Sequence, residues 1–451
     1  DSNRHGSLDF PWSIADIEIF NSRSKSIIPQ SNDQRSAQTP TPMTACSAPT
    51  MRTFTFTTTL FAALFAFNCS ANANFCPFCD APSLTLAEQI EQIEHLLLGK
   101  WIGGEKPTNE SAGTVRFEIV AVKKSKDNAF EVGQEIELPQ YLAGEKDALF
   151  ILMGPSTRLI DWHVPSEATM ASWEYVSNVP LPVEGDQEKK VERLAYFLDF
   201  LQDAHITISN DAFGEFAAAP YEIIKPLSDR MPREKLRKWI MDPETPVTRL
   251  GLYGLLLGLC GKEEDAAAME HKILHPDADF RLGIEGVMSG YLIITGEDGL
   301  KVLEQAKMHS KTYTNKDGEE QKLPFSETYA AMQTLRFMWS YEPDRIPKER
   351  LIQSMRKLLD RPELADLVIA DLSRWKAWEV QQPLMEMYDK EDFDIPSIKR
   401  AIVRYMYYAS TDVPEAVEGT EDAKELPAHA VSALKHLAAL EAKDPKTVRD
   451  T

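Results

Sequence analysis

The sequence predicts a multidomain α+β protein, a small antiparallel β barrel followed by an array of helix pairs. Three observations predict it. Alternating apolar residues run through TVRFEIVAVKK, at Val115, Phe117 and Ile119 and later Val122, the period of an extended strand. Beyond Gly185 the apolar period changes to about 3.6, beginning with Val191, Leu194, Phe197, Leu198 and Leu201. The 451 residues, 43% apolar and 26% charged, suit two or three domains with cores of their own.

The first 50 residues are rich in Ser, Asn, Gln, Thr and Pro and predict a disordered leader. At Met51-Arg52 the character changes. An apolar run of 14 residues, Phe54 to Phe67, leads to Ala71-Asn72-Ala73, the small residues a signal peptidase reads, so 51–73 is predicted to be a signal peptide. The run is shorter than the roughly twenty residues a hydrocarbon core requires, and no stable membrane span is expected. A signal this far inside a chain predicts that translation starts at Met51 or Met43. The mature protein is then extracytoplasmic, either periplasmic or secreted.

Residues 74–184 are assigned to the β domain. A helix over about Leu86 to Leu96, capped by Thr85, precedes six short strands in LLLGKWIGG, TVRFEIVAVKK, GQEIEL, DALFILMG, RLIDWHV and MASWEYVSNV. Cys76-Pro77-Phe78-Cys79 stands at the head of this domain. Its spacing allows a structural disulfide, a redox-active dithiol, or two ligands of a metal site to which His95 and His163 could contribute. A redox site of the thioredoxin kind needs the pair at a helix start after a strand, and no strand precedes it here. Asp80 stands where haem attachment would need a histidine. No cofactor is expected.

Residues 185–446 are assigned to the helical array. Asp242-Pro243 with Val247 and Arg249, then LGLYGLLLGLCG, is echoed by Pro276-Asp277, Arg281 and LGIEGVMSGYLIITG. Further helices are expected in SETYAAMQTLRFMW, PKERLIQSMRKLL, PELADLVIADLSRW, VQQPLMEMYD and PSIKRAIVRYMYYAS, with almost no strand among them. Trp339, Trp375, Trp378 and Tyr405 to Tyr408 read as repeat core, with the lining of a groove as the alternative, Cys260 as a buried inert thiol, and Glu263-Glu264-Asp265 and Glu319-Glu320 as solvated helix ends or loops.

Two resemblances follow from these motifs. LLLGKW, FEIVAVKK, VGQEIELP and ALFILMG, behind a cysteine and a short helix, resemble the netrin-like, tissue-inhibitor version of the OB fold, which implies a barrel. Inhibitor function is not implied, because Cys76 would not begin the mature chain and the further cysteines of that family are missing. The Asp-Pro turn, arginine and glycine-terminated helix resemble HEAT repeats, which implies an α-solenoid. With FCPFCDAPSLTLAEQ, NDAFGEFAAAPYEIIKPL and RPELADLVIADLSRW, the whole resembles a group of secreted planctomycete proteins with HEAT-like repeats, which implies architecture and export.

The formal net charge of −21 disfavours nucleic acid and anionic membrane surfaces as partners. The sequence contains no Gly-rich phosphate loop, nucleophile elbow or His-Glu-x-x-His helix. The expected function is therefore a non-enzymatic binding or scaffold protein with a protein partner. The alternative is extracytoplasmic thiol redox or metal handling through Cys76 and Cys79.

Overall fold

The computed structural model describes residues 76–78, 84–276, 281–315, 318–413 and 426–451. Residues 1–73, where the leader and signal peptide are expected, and Cys79 lie outside the described residues.

Helix α1 (Leu86–Gln92) begins as expected: Thr85 accepts from the Glu88 backbone N–H and the Glu88 carboxylate accepts from the Thr85 N–H. It ends sooner than predicted. His95 already starts β1 (His95–Glu105), which pairs antiparallel with β2 (Thr114–Ser125) and β4 (Leu149–Gly154). β3 (Glu135–Leu138) extends from β2, and β5 (Ser166–Ala168) from β4, giving the order β3-β2-β1-β4-β5.

The sheet is open, with β3 and β5 as edges, and the predicted barrel does not close. Burial along β1 shows why. His95 to Gly99 are buried without alternation, the mark of a strand covered on both faces. Leu96, Leu98, Ile151 and Met153 join the core of the helices, whereas Leu97, Val115, Phe117, Phe150 and Leu152 form a second core with Phe130 and Trp162. A sheet already covered by helices on one face and by its own connections on the other has no apolar face left for closure to bury.

Two expected strands are absent. RLIDWHV contributes a single 3-10 turn at Leu159–Asp161, with Ile160 exposed. MASWEYVSNV forms helix α2 (Met170–Asn178), started by a reciprocal Thr169–Ser172 cap. Trp173 and Tyr175 alternate as in a strand, yet Trp173 and Val176 also share a helix face, and the cap decides between the two periods.

From Gly185 the chain is mainly helical. α3 (Gln187–Tyr196), α4 (Ile206–Ala218), α5 (Tyr221–Ile224) and α6 (Arg233–Met241) lead to α7 (Leu250–Cys260) and α8 (Glu263–Leu274). α9 (Ile284–Thr295) and α10 (Glu297–Leu303) follow, and the chain then runs into a π-helical turn at Glu304–His309. A hairpin of β6 (Thr312–Thr314) and β7 (Glu320–Lys322) interrupts the helices, against the expectation of almost no strand. α11 (Phe325–Tyr341), α12 (Lys348–Lys357), α13 (Ala365–Arg374), α14 (Gln381–Tyr388), α15 (Pro396–Thr411) and α16 (Ala428–Lys443) complete the set, with a short α17 (Pro445–Arg449). Alternate long helices touch: α7 packs on α9, α9 on α11, and α13 on α15, which in turn carries α16.

Candidate functional site

Cys76, the first candidate, is buried and disulfide-bonded, with Cys79 outside the described residues. Its surroundings are helical. The Cys76 N–H donates to the Ala217 carbonyl at the end of α4 at 3.0 Å. Phe78 sets its ring 4.9 Å from that of Phe337 on α11, and its backbone lies against Gly251 on α7. Phe337 continues the cluster to Tyr221 and Tyr341. The Tyr221 hydroxyl and the Lys225 ammonium both donate to the Glu342 carboxylate at 2.5 Å. The motif therefore anchors the chain to three helices of the array, and not to the sheet as its place in the sequence suggested.

His95 and His163 do not gather around it. His163 is exposed, while His95 is wholly buried between Phe130 and Trp162. Among the described residues no three His, Cys, Asp or Glu side chains are grouped to hold a metal ion. Cys260 is half-buried, and burial pushes its thiol up to about 11, which keeps it protonated and unreactive at neutral pH.

A second constellation was not legible in the sequence. Arg281, just before α9, donates through Nε and Nη2 to the two carboxylate oxygens of Glu327 on α11, at 2.8 and 2.6 Å. Lys307, inside the π-helical turn, donates to the same carboxylate at 2.7 Å, and all three side chains are 1–2% exposed. Burial pushes the Glu327 carboxyl up, but the Arg281 hydrogen bonds and the Lys307 charge outweigh it and hold it below the usual carboxylate range. Burial pulls the Lys307 ammonium down. Two cations facing one carboxylate leave a positive excess, which the last carbonyls of α8 offset: Arg281 also donates to Lys272 and Ile273.

Similar ties recur along the helices. Arg249 donates to the Leu201 carbonyl, Ser209 and Asn210; Arg336 donates to Asp371 at 2.7 Å; and Arg350 and Ser354 donate to Glu304, also in the π-helical turn. Asp265, expected to be solvated, is fully buried, where it caps α8 by accepting from the Lys262 N–H and pairs with Arg233. Glu263 and Glu264 beside it are exposed, as are Glu319 and Glu320. These charges are spent on joining helices.

The aromatic residues divide. Trp339 and Trp375 stack at 4.3 Å with planes 8° apart, and the Lys348 ammonium lies 4.9 Å over Trp339. Trp378 donates to Asp412 at 2.7 Å. Tyr405 and Met406 are core, as expected, but Tyr407 and Tyr408 are 57% and 55% exposed. On α16, Val431 and Leu434 are exposed one helical turn apart, with Leu426 exposed before that helix. Tyr407 and Tyr408 lie on α15 and Val431 and Leu434 on α16, helices that pack against each other.

The fold and these sites define a mixed α+β protein in which an open antiparallel sheet shares a core with packed helices. No family model, curated protein or solved structure matches this chain. No helix among the described residues is long and apolar enough to cross a membrane.

Proposed function

We propose that this chain is an exported binding or scaffold protein whose helices form an α-solenoid of HEAT-like pairs, and that it meets a protein partner through the terminal helix pair. The observation that carries this reading is the exposed apolar set Tyr407, Tyr408, Val431 and Leu434 on α15 and α16. A stacked helical array ends in a polar outer face when that end meets water, and an apolar end suits a partner. The interior charges support the same reading, since Glu327, Glu304 and Asp371 each hold helices together. The net charge of −21 favours a partner with a basic rim around an apolar centre.

Export rests on the apolar run from Phe54 and on Ala71-Asn72-Ala73. A mature N-terminus at Asn74, read by mass spectrometry of the native protein, would support it. A mature chain that retains residues 1–50 would refute it. For binding, a photo-crosslinker placed at Val431 of the full mature chain should capture a defined partner, and Tyr408→Ser with Leu434→Ser should abolish capture with the circular dichroism unchanged. If capture survives the double substitution, or crosslinks only from the sheet, the terminal helix pair is not the docking face.

A further inference from the structure

His95 is fully buried, and neither ring nitrogen has a hydrogen-bond partner among the described residues. A buried polar ring without partners is costly and is retained only where its surroundings hold it. Here the holding is aromatic. Phe130 meets the imidazole edge-on at 4.9 Å and an interplanar angle of 84°, and Trp162 stacks on it at 6.0 Å and 13°. Both aromatics belong to connections that cover the outer face of the sheet. Phe130 follows the turn in which Asp127 and Asn128 take left-handed backbone angles, φ 54° and 53°. Trp162 closes the flap 155–165, lying so tightly on Gly154 that no Cβ fits beneath it.

The flap has few ties of its own. The Trp162 indole N–H donates to the Ser156 carbonyl at 2.8 Å, and the His163 N–H to the Met153 carbonyl at 3.0 Å. Ile160 and Val164, on either side, are already 70% and 69% exposed. Trp162 and Pro165 are the buried residues of the flap, and Trp162 packs on Gly154, on Phe130 at 5.2 Å and on the histidine.

We propose that His95 is an acid-sensitive latch: its neutral ring holds the flap 155–165 closed, and its protonation opens the flap and uncovers the outer core of the sheet. An imidazolium has two N–H donors, and the closed box offers neither an acceptor. Glu94, beside it in the chain, and Asp127, in the turn, favour the charged form, while Lys126 in the turn and Lys124 on β2 oppose it; burial is the largest influence and holds the imidazole below its usual 6.5. In the flap, Arg158 and Asp161 pair with each other at 3.3 Å, and His163 is exposed.

The sign follows from linkage. The closed form rejects a proton that the open form takes up, so closure is complete above the usual value and is lost as pH falls below it. The opening constant should rise as pH falls below 6.5, by up to about tenfold per pH unit. Hydrogen–deuterium exchange of the full chain, corrected for the intrinsic rate, tests this on peptides covering 156–165 and 125–131. Between pH 7.5 and pH 5 their opening should rise, by up to about 30-fold, with peptides from α9 unchanged. His95→Phe, which fills the same box without a titrating group, should remove the rise. Equal exchange at both pH values, an equal rise in His95→Phe, or a matching rise in α9 would overturn the proposal. Should His95→Phe fail to fold, the His95 ring resonance of the unmodified chain decides. Titration at or above 6.5 with the flap still protected overturns the latch, and titration coupled to loss of protection supports it.

Discussion

Gly290 on α9 rests its bare Cα face directly on the carbonyl of Gly254 on α7. The two helices carry the same pattern, Arg-Leu-Gly-x-x-Gly-x-x-x-Gly, at 249–258 and 281–290. Each glycine removes a side chain where the backbones cross, and a Cβ on Gly254 would lie 2.5 Å from the Val287 nitrogen. The obstructing atoms are backbone and cannot rotate away. Gly254→Ala and Gly290→Ala should therefore each destabilise by about 1–3 kcal/mol or more. Gly214→Ala, inside α4 and 3.9 Å from its nearest neighbour, should stabilise by roughly 0.5–1 kcal/mol through helix propensity. Urea denaturation of the three variants checks the contrast, and a destabilising Gly214→Ala would show that helix propensity does not govern that site.

The Glu327 carboxylate separates two buried cations, so the two sides of the cluster are unequal. Glu327→Gln leaves Arg281 and Lys307 buried without a counter-charge and should cost about 3–5 kcal/mol. Lys307→Met keeps the bidentate Arg281–Glu327 pair and should cost far less, and in combination it should recover part of the Glu327→Gln loss. Thermal unfolding of the two single variants and the double variant measures the coupling. Additive effects would mean that Lys307 and Glu327 do not interact.

Phe78 joins the Cys76 segment to Phe337 and Gly251, elements far apart in the sequence. Phe78→Ala should lower stability by about 2–3 kcal/mol, somewhat below a fully buried phenylalanine because the ring is half-buried. Hydrogen exchange should rise in α7 and α11 first, with β1 and β2 little affected. Loosening confined to the sheet would return the motif to the β domain.

The parts legible in the sequence were those with a local cause. Thr85 and Glu88 announce α1, and the alternation of Val115, Phe117 and Ile119 announces β2, because capping and pleat act within a few residues. The open sheet was not legible, since closure depends on which faces the distant helices cover, and Leu96 and Leu97 look alike until their cores are known. The docking of Cys76 against Ala217 is a tertiary choice of the same kind. The repeated arginine and apolar helix at 249 and 281 were visible as an echo, but their glycines mark a helix crossing only once the two segments are seen to touch. Glu327 and Lys307 carry no pattern, because their pairing runs through a π-helical turn that shifts the helix register.

Asp211 on α4 accepts from the Leu86 N–H at the start of α1 and from the Tyr175 hydroxyl on α2, each at 2.7 Å. It thus ties the segment leading into the sheet to the helices behind it. Burial is the largest influence on its carboxyl and pushes it up to about 6 from the usual 3.8, against the pull of those two donors. The native state therefore keeps a proton that the unfolded chain releases between these values. The contribution is fully present below 3.8 and is lost as pH rises through about 6. Asp211→Asn keeps an acceptor for the Leu86 N–H and carries no charge, so it should gain stability over the unmodified chain at pH 7.5 by roughly 1–3 kcal/mol and show little difference near pH 4. The comparison is best made in the His95→Phe background, because His95 acts with the opposite sign over an overlapping range. A difference between the two chains that does not change with pH would show that Asp211 stays ionised throughout.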